Sequence, residues 1–154
     1  YNRVKMLTMD PRFYYYKNSM INRNLFDENL VIDCEMNSGS SYEAMERYLE
    51  KNKKPPKALF ISSDATAAGI LKAIREHGFL VPGDCNIVTY NNTTFSESST
   101  PPLDSIEVYL KESAKEATFA LERFWNAEKL PRKIVIPCSL VIRGSIKKQE
   151  NNGK

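Results

Sequence analysis

The sequence has few of the side chains that enzymes and metal centres combine. Its 154 residues include one histidine, His77, and three cysteines that lie far apart, at positions 34, 85 and 138. Neither a cysteine nor a carboxylate is arranged with His77 as a nucleophile system or a metal site. An odd number of widely spaced cysteines also argues against a disulfide framework. We therefore expect no enzyme activity, no catalytic residues, no metal and no cofactor, and we interpret the cysteines as buried hydrophobic side chains in a reducing compartment.

Long hydrophobic runs, a strong net charge and a glycine-rich phosphate loop are also missing. No apolar run approaches the roughly 20 residues of a membrane-spanning helix, and no secretory leader begins at Tyr1. The 22 basic and 19 acidic residues leave a net charge of +3, too small to indicate nucleic-acid binding by charge alone. Hydrophobic residues make up 42% of the chain, enough for one folded domain with a core. We expect a cytoplasmic protein with no membrane contact.

Residues 56–78 carry the clearest structural pattern in the chain. Four consecutive apolar residues at 58–61 are typical of a strand that is covered on both faces, as in a parallel sheet. The short polar side chains of Ser62, Ser63 and Asp64 follow, and such residues accept the free N–H groups at the start of a helix. An amphipathic helix then runs to Gly78, which ends it. Since ligands bind at the carboxyl ends of parallel strands, the turn at 62–64 should border any site.

Similar patterns recur along the rest of the chain. Asp10 and Pro11 form a typical helix opening, with a capping carboxylate before a proline. Helices are predicted at about 11–24, 42–51, 65–77 and 111–126, and strands at 30–33, 58–61, 86–90, 103–109, 134–136 and 140–142. Helices that alternate with short apolar strands predict an α/β protein, a three-layer sandwich around a mainly parallel sheet.

Three places offer side chains for binding. Asp64 could bind a ligand hydroxyl, but its position favours a helix cap, and Ser63 is the better candidate contact. Asn91 and Asn92 directly follow a buried strand and would reach the same edge as Ser63; their amides suit neutral polyols, although Asn is equally common in turns. Arg12 lies in the first turn of its helix, where a positive charge opposes the helix dipole. It is either an ordinary exposed arginine or a residue held there to grip a ligand.

Several of these motifs together resemble a known family. The runs PKALFISSDATAAGILKAIREHGFLVPGDCNIVTYNN, TPPLDSIEV and IVIPCSLVIRGS occur in the order and at the separations of the effector-binding core of the lactose/galactose-repressor family. The resemblance covers about residues 10–145. It implies the fold of periplasmic sugar-binding proteins, in which a small effector lies in a cleft between two α/β subdomains.

The resemblance also implies a domain organisation. Residues 1–154 would form a partial effector-binding domain, with 10–108 and 132–146 in the C-terminal subdomain and 109–131 forming the crossover helix of the N-terminal subdomain. The helix-turn-helix that reads operator DNA would be absent from this chain. A homodimer is expected, with the helix at 65–76 contributing to its interface. Leu121, Phe124 and Trp125 would be left uncovered, so we expect them to pack against another chain or to fold back onto this one.

The family's binding positions can be carried over one by one. The effector-binding arginine aligns with Arg12, the polar residue and the aspartate that follows it with Ser63 and Asp64, and the sugar-gripping aspartate with Asn91. Met36 aligns with an aromatic position that stacks on sugars, and cleft positions near the subdomain crossover align with Val108 and Leu110. Asn91 and Met36 depart from the family pattern, which weakens hydroxyl binding and stacking. We therefore expect an effector that is not bound as the common neutral hexoses are.

These observations predict an effector-sensing domain of a DNA-binding transcriptional regulator, a repressor that responds to a sugar or sugar derivative. The alternative is a solute-binding protein of a sugar transport system with the same fold.

Overall fold

The computed structural model describes residues 10–126 and 133–148. Residues 127–132, where the predicted crossover helix ends, lie outside the described residues. The elements in chain order are α1 (Pro11–Ile21), a 3-10 helix (Glu28–Leu30), α2 (Ser38–Asn52), β1 (Ala58–Phe60), α3 (Asp64–Glu76), β2 (Asn86–Tyr90), α4 (Thr94–Ser98), β3 (Asp104–Glu107), α5 (Leu110–Trp125) and β4 (Ser139–Val141).

The four strands form one open sheet in the order β1-β2-β3-β4. The first three strands are parallel, with Leu59 opposite Ile87 and Thr89 opposite Ser105. β4 runs antiparallel to β3 and places Val141 opposite Ser105. The prediction of a mainly parallel sheet is therefore confirmed.

Helices cover both faces of this sheet, because successive side chains of a strand point to opposite sides. Leu59 and Ile87 belong to the hydrophobic core that α2 and α3 complete. Phe60, the next residue of β1, contacts α1 instead, where the Tyr16 ring stacks on it with the centroids 6.3 Å apart. The three-layer arrangement follows from this alternation.

The core lies between the sheet and the helix pair α2 and α3. Its fully buried large residues include Met45, Leu49, Ile74, Ile87 and Leu103. The two helices cross closely at Gly69, where a Cβ atom would overlap the Ser38 carbonyl oxygen and the Ser41 hydroxyl. The absence of a side chain at this glycine therefore sets the distance between α2 and α3.

Local signals placed most helix ends correctly. The Asp10 carboxylate accepts a hydrogen bond from the Arg12 backbone N–H, with Pro11 at the first helical position. Gly78 follows α3 with a φ of 77°, as its role of helix terminator requires. The cap of α3 is Ser63, whose hydroxyl accepts from the Ala65 N–H. The prediction that Asp64 caps this helix is wrong, because Asp64 is already its first residue.

Several predicted strands are shorter than expected or do not form. The strand predicted at 30–33 does not form, because Leu30 ends the 3-10 helix and residues 31–33 have no partner strand in the described sheet. The apolar run 134–136 has no partner strand there either. The strand predicted at 103–109 is paired only from Asp104 to Glu107, because Tyr109 takes a left-handed conformation (φ 49°) that starts α5. α2 begins four residues before its predicted start, since Asn37 caps it.

The prediction of three buried cysteines holds for Cys85 alone: Cys34 is half-buried and Cys138 is exposed.

Candidate functional site

The carboxyl ends of β1, β2 and β3 meet at one edge of the sheet, because these strands are parallel. Ser63 follows β1, Asn91 follows β2 and Val108 follows β3. The structure therefore brings Ser63 and Asn91 to the same edge, as expected from the sequence. We call this edge, with the polar residues Arg12, Ser63, Asn91, Asn92 and Glu107, the polar rim.

Asp64 joins two of the loops beneath the polar rim. Its Oδ2 atom accepts from the Thr93 backbone N–H (2.7 Å), the Thr93 hydroxyl (2.8 Å) and the Ser96 hydroxyl (2.6 Å). Only 1% of Asp64 is exposed. Burial alone would raise the pKa of this carboxyl, but the hydrogen bonds from Ser96, Thr89 and Thr93 outweigh it and hold the pKa below its usual value. In this structure Asp64 connects the start of α3 to the loop after β2, and its charge is stabilised by hydrogen bonds from Thr93 and Ser96.

Arg12 reaches the polar rim from the start of α1. Its Nη1 donates to the Ser62 carbonyl oxygen over 2.6 Å. Its guanidinium lies over the Tyr90 ring, 5.3 Å from the centroid, an attractive cation–π geometry. Arg12 therefore spans the ends of β1 and β2, where the sequence predicted a ligand contact.

The charge of Arg12 is matched by a neighbouring carboxylate. Nε and Nη2 of Arg12 bind the two Asp10 oxygens over 2.7–3.2 Å. Hydrogen bonding to Arg12 is the largest cause of the lowered pKa of Asp10, and hydrogen bonding to Asp10 raises the pKa of Arg12. Both side chains are charged and paired at neutral pH.

The two asparagines after β2 have different roles. Both have positive φ angles, 101° for Asn91 and 50° for Asn92, a region that asparagine tolerates better than most residues. Asn92 serves the turn: its backbone N–H donates to the Ser105 hydroxyl, and its side-chain amide donates to Glu107. The Asn91 backbone N–H donates to the Ile106 carbonyl oxygen, and its side-chain amide has no hydrogen-bond partner within residues 10–126 and 133–148.

Glu107 belongs to the polar rim and was missed from the sequence. It is the last residue of β3, and its Oε1 accepts from the Tyr109 backbone N–H over 2.7 Å. The hydrogen bond from Asn92 is the largest cause of the lowered pKa of this carboxyl. The rule that located Asn91, that polar residues at the ends of parallel strands share one edge, would also have found Glu107.

The remaining predicted site residues lie apart from this hydrogen-bonded cluster. Val108 is half-buried beside Glu107, and Leu110 is exposed as the first residue of α5. Met36 is exposed, just before the Asn37 cap of α2.

Within the part of the chain that the structure describes, no three histidine, cysteine, aspartate or glutamate side chains are grouped as metal ligands. None of the described helices is both long and apolar enough to cross a membrane.

Comparison with known proteins agrees with the fold. A family model of the periplasmic binding protein-like domain matches residues 2–146. The chain belongs to this family. Among curated proteins it is 31% identical over 139 residues to the HTH-type transcriptional regulator GalR of Streptococcus thermophilus, an alignment that covers 90% of this chain and 42% of that protein. It is 32% identical over 115 residues to the HTH-type transcriptional repressor MelR of Bacillus subtilis, covering 75% of this chain and 33% of that protein.

Solved structures of the same group share the fold. A complex of the transcriptional regulator CelR with cellobiose is 26% identical, with a TM-score of 0.76, and the match covers 84% of this chain and 40% of that one. The transcription regulator CcpA of Lactococcus lactis is also 26% identical, with a TM-score of 0.76, over 86% of this chain and 48% of that one. The resemblance to the lactose/galactose-repressor family is confirmed. The chain spans less than half the length of these relatives.

Proposed function

We propose that this chain is the effector-sensing part of a DNA-binding transcriptional repressor that responds to a sugar or sugar derivative. The polar rim carries this proposal, because it gathers Arg12, Ser63 and Asn91 at the carboxyl edge of a parallel sheet, where ligands bind in this architecture. The relatives named above are transcriptional regulators, and the solved structure of one of them is a complex with cellobiose. They favour a regulator over a transport-linked solute-binding protein. The chain would sense its ligand without catalysing a reaction, and it would act in the cytoplasm.

The described residues support a chain that holds one subdomain and a piece of another. Residues 10–108 and 132–146 would form the C-terminal subdomain, and 109–131 would belong to the N-terminal subdomain. α5 has no buried residue, and Leu121, Phe124 and Trp125 on it are 64%, 79% and 87% exposed. An amphipathic helix left uncovered in this way needs a partner surface. The ligand cleft would lie between the polar rim and the N-terminal subdomain, and operator DNA would be bound by a further domain.

A chain of hydrogen bonds links the polar rim to α5. Asn92 donates to Glu107, and Glu107 accepts from the Tyr109 N–H where the backbone turns into α5. Met36, Val108 and Leu110 would contact the ligand or the second subdomain from the sides of the cleft. Ligand binding that favours one angle between the subdomains would shift the spacing of two DNA-reading domains in a dimer.

The outer face of α3 supports the expected homodimer. A groove of about 370 Å³ runs beside it, with both apolar and charged lining. The lining residues include Ala68, Leu71, Arg75 and Phe95. A second copy of the chain would cover this groove.

Isothermal titration calorimetry with simple hexoses, cellobiose, lactose and N-acetylated sugars tests the proposal. We expect a sugar derivative to bind more tightly than the simple hexoses, and Asn91→Ala to weaken that binding about fivefold or more, since lost hydrogen bonds to a ligand cost about 1 kcal/mol or more. Asn24→Ala is the matched control, because Asn24 also has a positive φ (55°) but is exposed beyond α1. Tight binding of a simple hexose that Asn91→Ala abolishes would contradict the proposed binding mode, and no binding of any sugar would contradict the function.

A further inference from the structure

The hydrogen-bonding capacity of Arg12 is largely used inside the protein. Its Nε and Nη2 donate to Asp10, and its Nη1 donates to the Ser62 carbonyl oxygen. One face of the guanidinium lies over the Tyr90 ring. The side chain is held on three sides, so its direction is fixed before any ligand arrives.

Asp10 accounts for most of this geometry. The same carboxylate caps α1 by accepting the Arg12 backbone N–H over 2.9 Å and grips the Arg12 side chain through both of its oxygens. Pro11, between them, restricts the backbone that joins the two residues. The side chains are only 26% and 27% exposed, so solvent screens this pair less than a surface ion pair.

The pair also sets the charge that a ligand meets. Asp10 cancels the positive charge of Arg12, and the rim residues Ser63, Asn91 and Asn92 are neutral. The remaining ionised group of the rim is Glu107, which is held by the Asn92 amide and the Tyr109 N–H; its pKa is lowered in small part by Arg143, whose guanidinium donates to the Leu103 carbonyl oxygen. An anionic ligand would therefore approach a rim with no uncancelled cation.

We propose that Asp10 is a positioning residue that aims Arg12 and cancels its charge, so that the polar rim accepts uncharged ligands and rejects phosphorylated or carboxylated ones. The selection of uncharged ligands rests on the proposed function, but the role of Asp10 toward Arg12 does not. A guanidinium without such a partner binds phosphate and carboxylate oxygens readily. Removing the Asp10 charge should then convert the rim into an anion site.

The test uses Asp10→Asn and Asp10→Ser in the 154-residue chain. Asn and Ser cap helices about as well as Asp, so α1 should still begin at Pro11 while the ion pair between Asp10 and Arg12 is lost. Inorganic phosphate and glucose 6-phosphate are titrated by NMR, with the Arg12 Nε–H and Asn91 amide signals as local reporters. Asp27→Asn is the matched control, because Asp27 caps the 3-10 helix, is exposed and makes no ion pair in the described structure.

We expect both Asp10 variants to bind phosphate at Arg12 at least about tenfold more tightly than the parent chain, in line with the strength of hydrogen bonds to charged groups. The parent chain and Asp27→Asn should show no saturable shift of the Arg12 signal. Unchanged phosphate binding in both Asp10 variants, or saturable phosphate binding at Arg12 in the parent chain, overturns the proposal. If one variant does not fold, the other and the parent titration decide.

A sugar titration separates this inference from the proposed function. The Asp10 variants should bind an uncharged ligand more weakly and glucose 6-phosphate more tightly, so the ratio of the two affinities changes, which a general loss of stability would not produce. If no sugar binds but the Asp10 variants bind phosphate more tightly, the proposed function is wrong and the proposed role of Asp10 is supported. If sugars bind and the ratio is unchanged, the function stands and the role of Asp10 fails.

Discussion

The side-chain amide of Asn92 donates to the Glu107 carboxylate over 2.6 Å and ties the end of β2 to the end of β3. Asn92 can make this contact because its left-handed backbone (φ 50°) turns the side chain back across the sheet edge. The same carboxylate accepts from the Tyr109 N–H at the start of α5. Two strand ends and the crossover into α5 are therefore held by one carboxylate.

Replacing Asn92 by aspartate should break the hydrogen bond to Glu107 while keeping the shape of the side chain at position 92. Asn92→Asp puts a second carboxylate against Glu107, and like charges at this distance repel. We expect the melting temperature at neutral pH to fall by about 2–4 °C or more. The loss should shrink as the pH is lowered, because the pKa values of the two carboxyls are raised by their repulsion and protonation of either one restores a donor.

Asn91→Asp is the control for this experiment. It introduces the same charge one residue away, at another positive φ, but at a side chain that has no hydrogen bond to lose in the described structure. Thermal unfolding followed by circular dichroism between pH 4 and pH 8 should separate the two variants. Equal losses at both positions would mean that the Asn92–Glu107 bond does not matter for stability.

Asp104 should be the carboxylate on which stability depends most. It is 1% exposed and accepts from three backbone N–H groups, those of Arg143, Ser145 and Ile146, and from the Ser145 hydroxyl. Asp104→Asn replaces an acceptor by a donor that faces other donors. We expect a loss of about 2–3 kcal/mol in the free energy of unfolding, measured by urea denaturation. Asp33→Asn, at an exposed aspartate, should change it little.

The same residue predicts an acid dependence of stability. Burial would raise the pKa of Asp104, but hydrogen bonds from Arg143, Ser145 and Ile146 outweigh it and lower the pKa below the ordinary 3.8. The unfolded chain then binds a proton more readily than the folded one, so this stabilisation is present above the ordinary pKa and is lost as the pH falls through the lowered one. The parent and Asp104→Asn should therefore begin to converge below about pH 4 and differ least once the pH is under the lowered pKa. A constant difference down to pH 2 would contradict this.

Gly69 should not tolerate a side chain. Alanine favours a helix by about 1 kcal/mol over glycine, but a Cβ at Gly69 would overlap the Ser38 carbonyl oxygen and the Ser41 hydroxyl of α2. We expect Gly69→Ala to destabilise the chain by about 1–3 kcal/mol. Gly39→Ala is the control, because its Cβ would meet nothing closer than the Asn37 side-chain oxygen at 3.5 Å. Gly69→Ala proving as stable as Gly39→Ala would show that α2 and α3 can separate at no cost.

The exposed face of α5 should make the chain associate. Phe124 and Trp125 are 79% and 87% exposed, and each such side chain gains about 1.5–3 kcal/mol on burial. Sedimentation equilibrium should show association that Phe124→Ser weakens, while Tyr15→Ser, at an exposed aromatic residue of α1, should not. The single tryptophan reports directly on this surface. A stable monomer with Trp125 quenched like free indole would contradict the prediction.

The fold class and the edge of the sheet that holds the rim could be read from sequence, because both depend on local patterns. The apolar run at 58–61, the capping residues before each helix and the polar residues after β2 act over a few neighbours. Runs 31–33 and 134–136 show the limit of this reading: an apolar pattern favours extended backbone, but only a neighbouring strand makes it part of a sheet. Local pattern also placed Arg12 at the start of a helix, without showing what it would contact.

Tertiary structure alone decided what each polar side chain does. Asp64 could be read as a cap or a ligand contact, and it is instead a buried acceptor for Thr93 and Ser96, which lie about 30 residues further along the chain. Glu107 gained its place in the rim through Asn92, and Arg12 its direction through Ser62 and Asp10. Hydrogen bonds of this kind form only when donor and acceptor lie within a few tenths of an ångström of their preferred separation. Packing brings distant segments to that separation, and the spacing of residues in the sequence does not encode it.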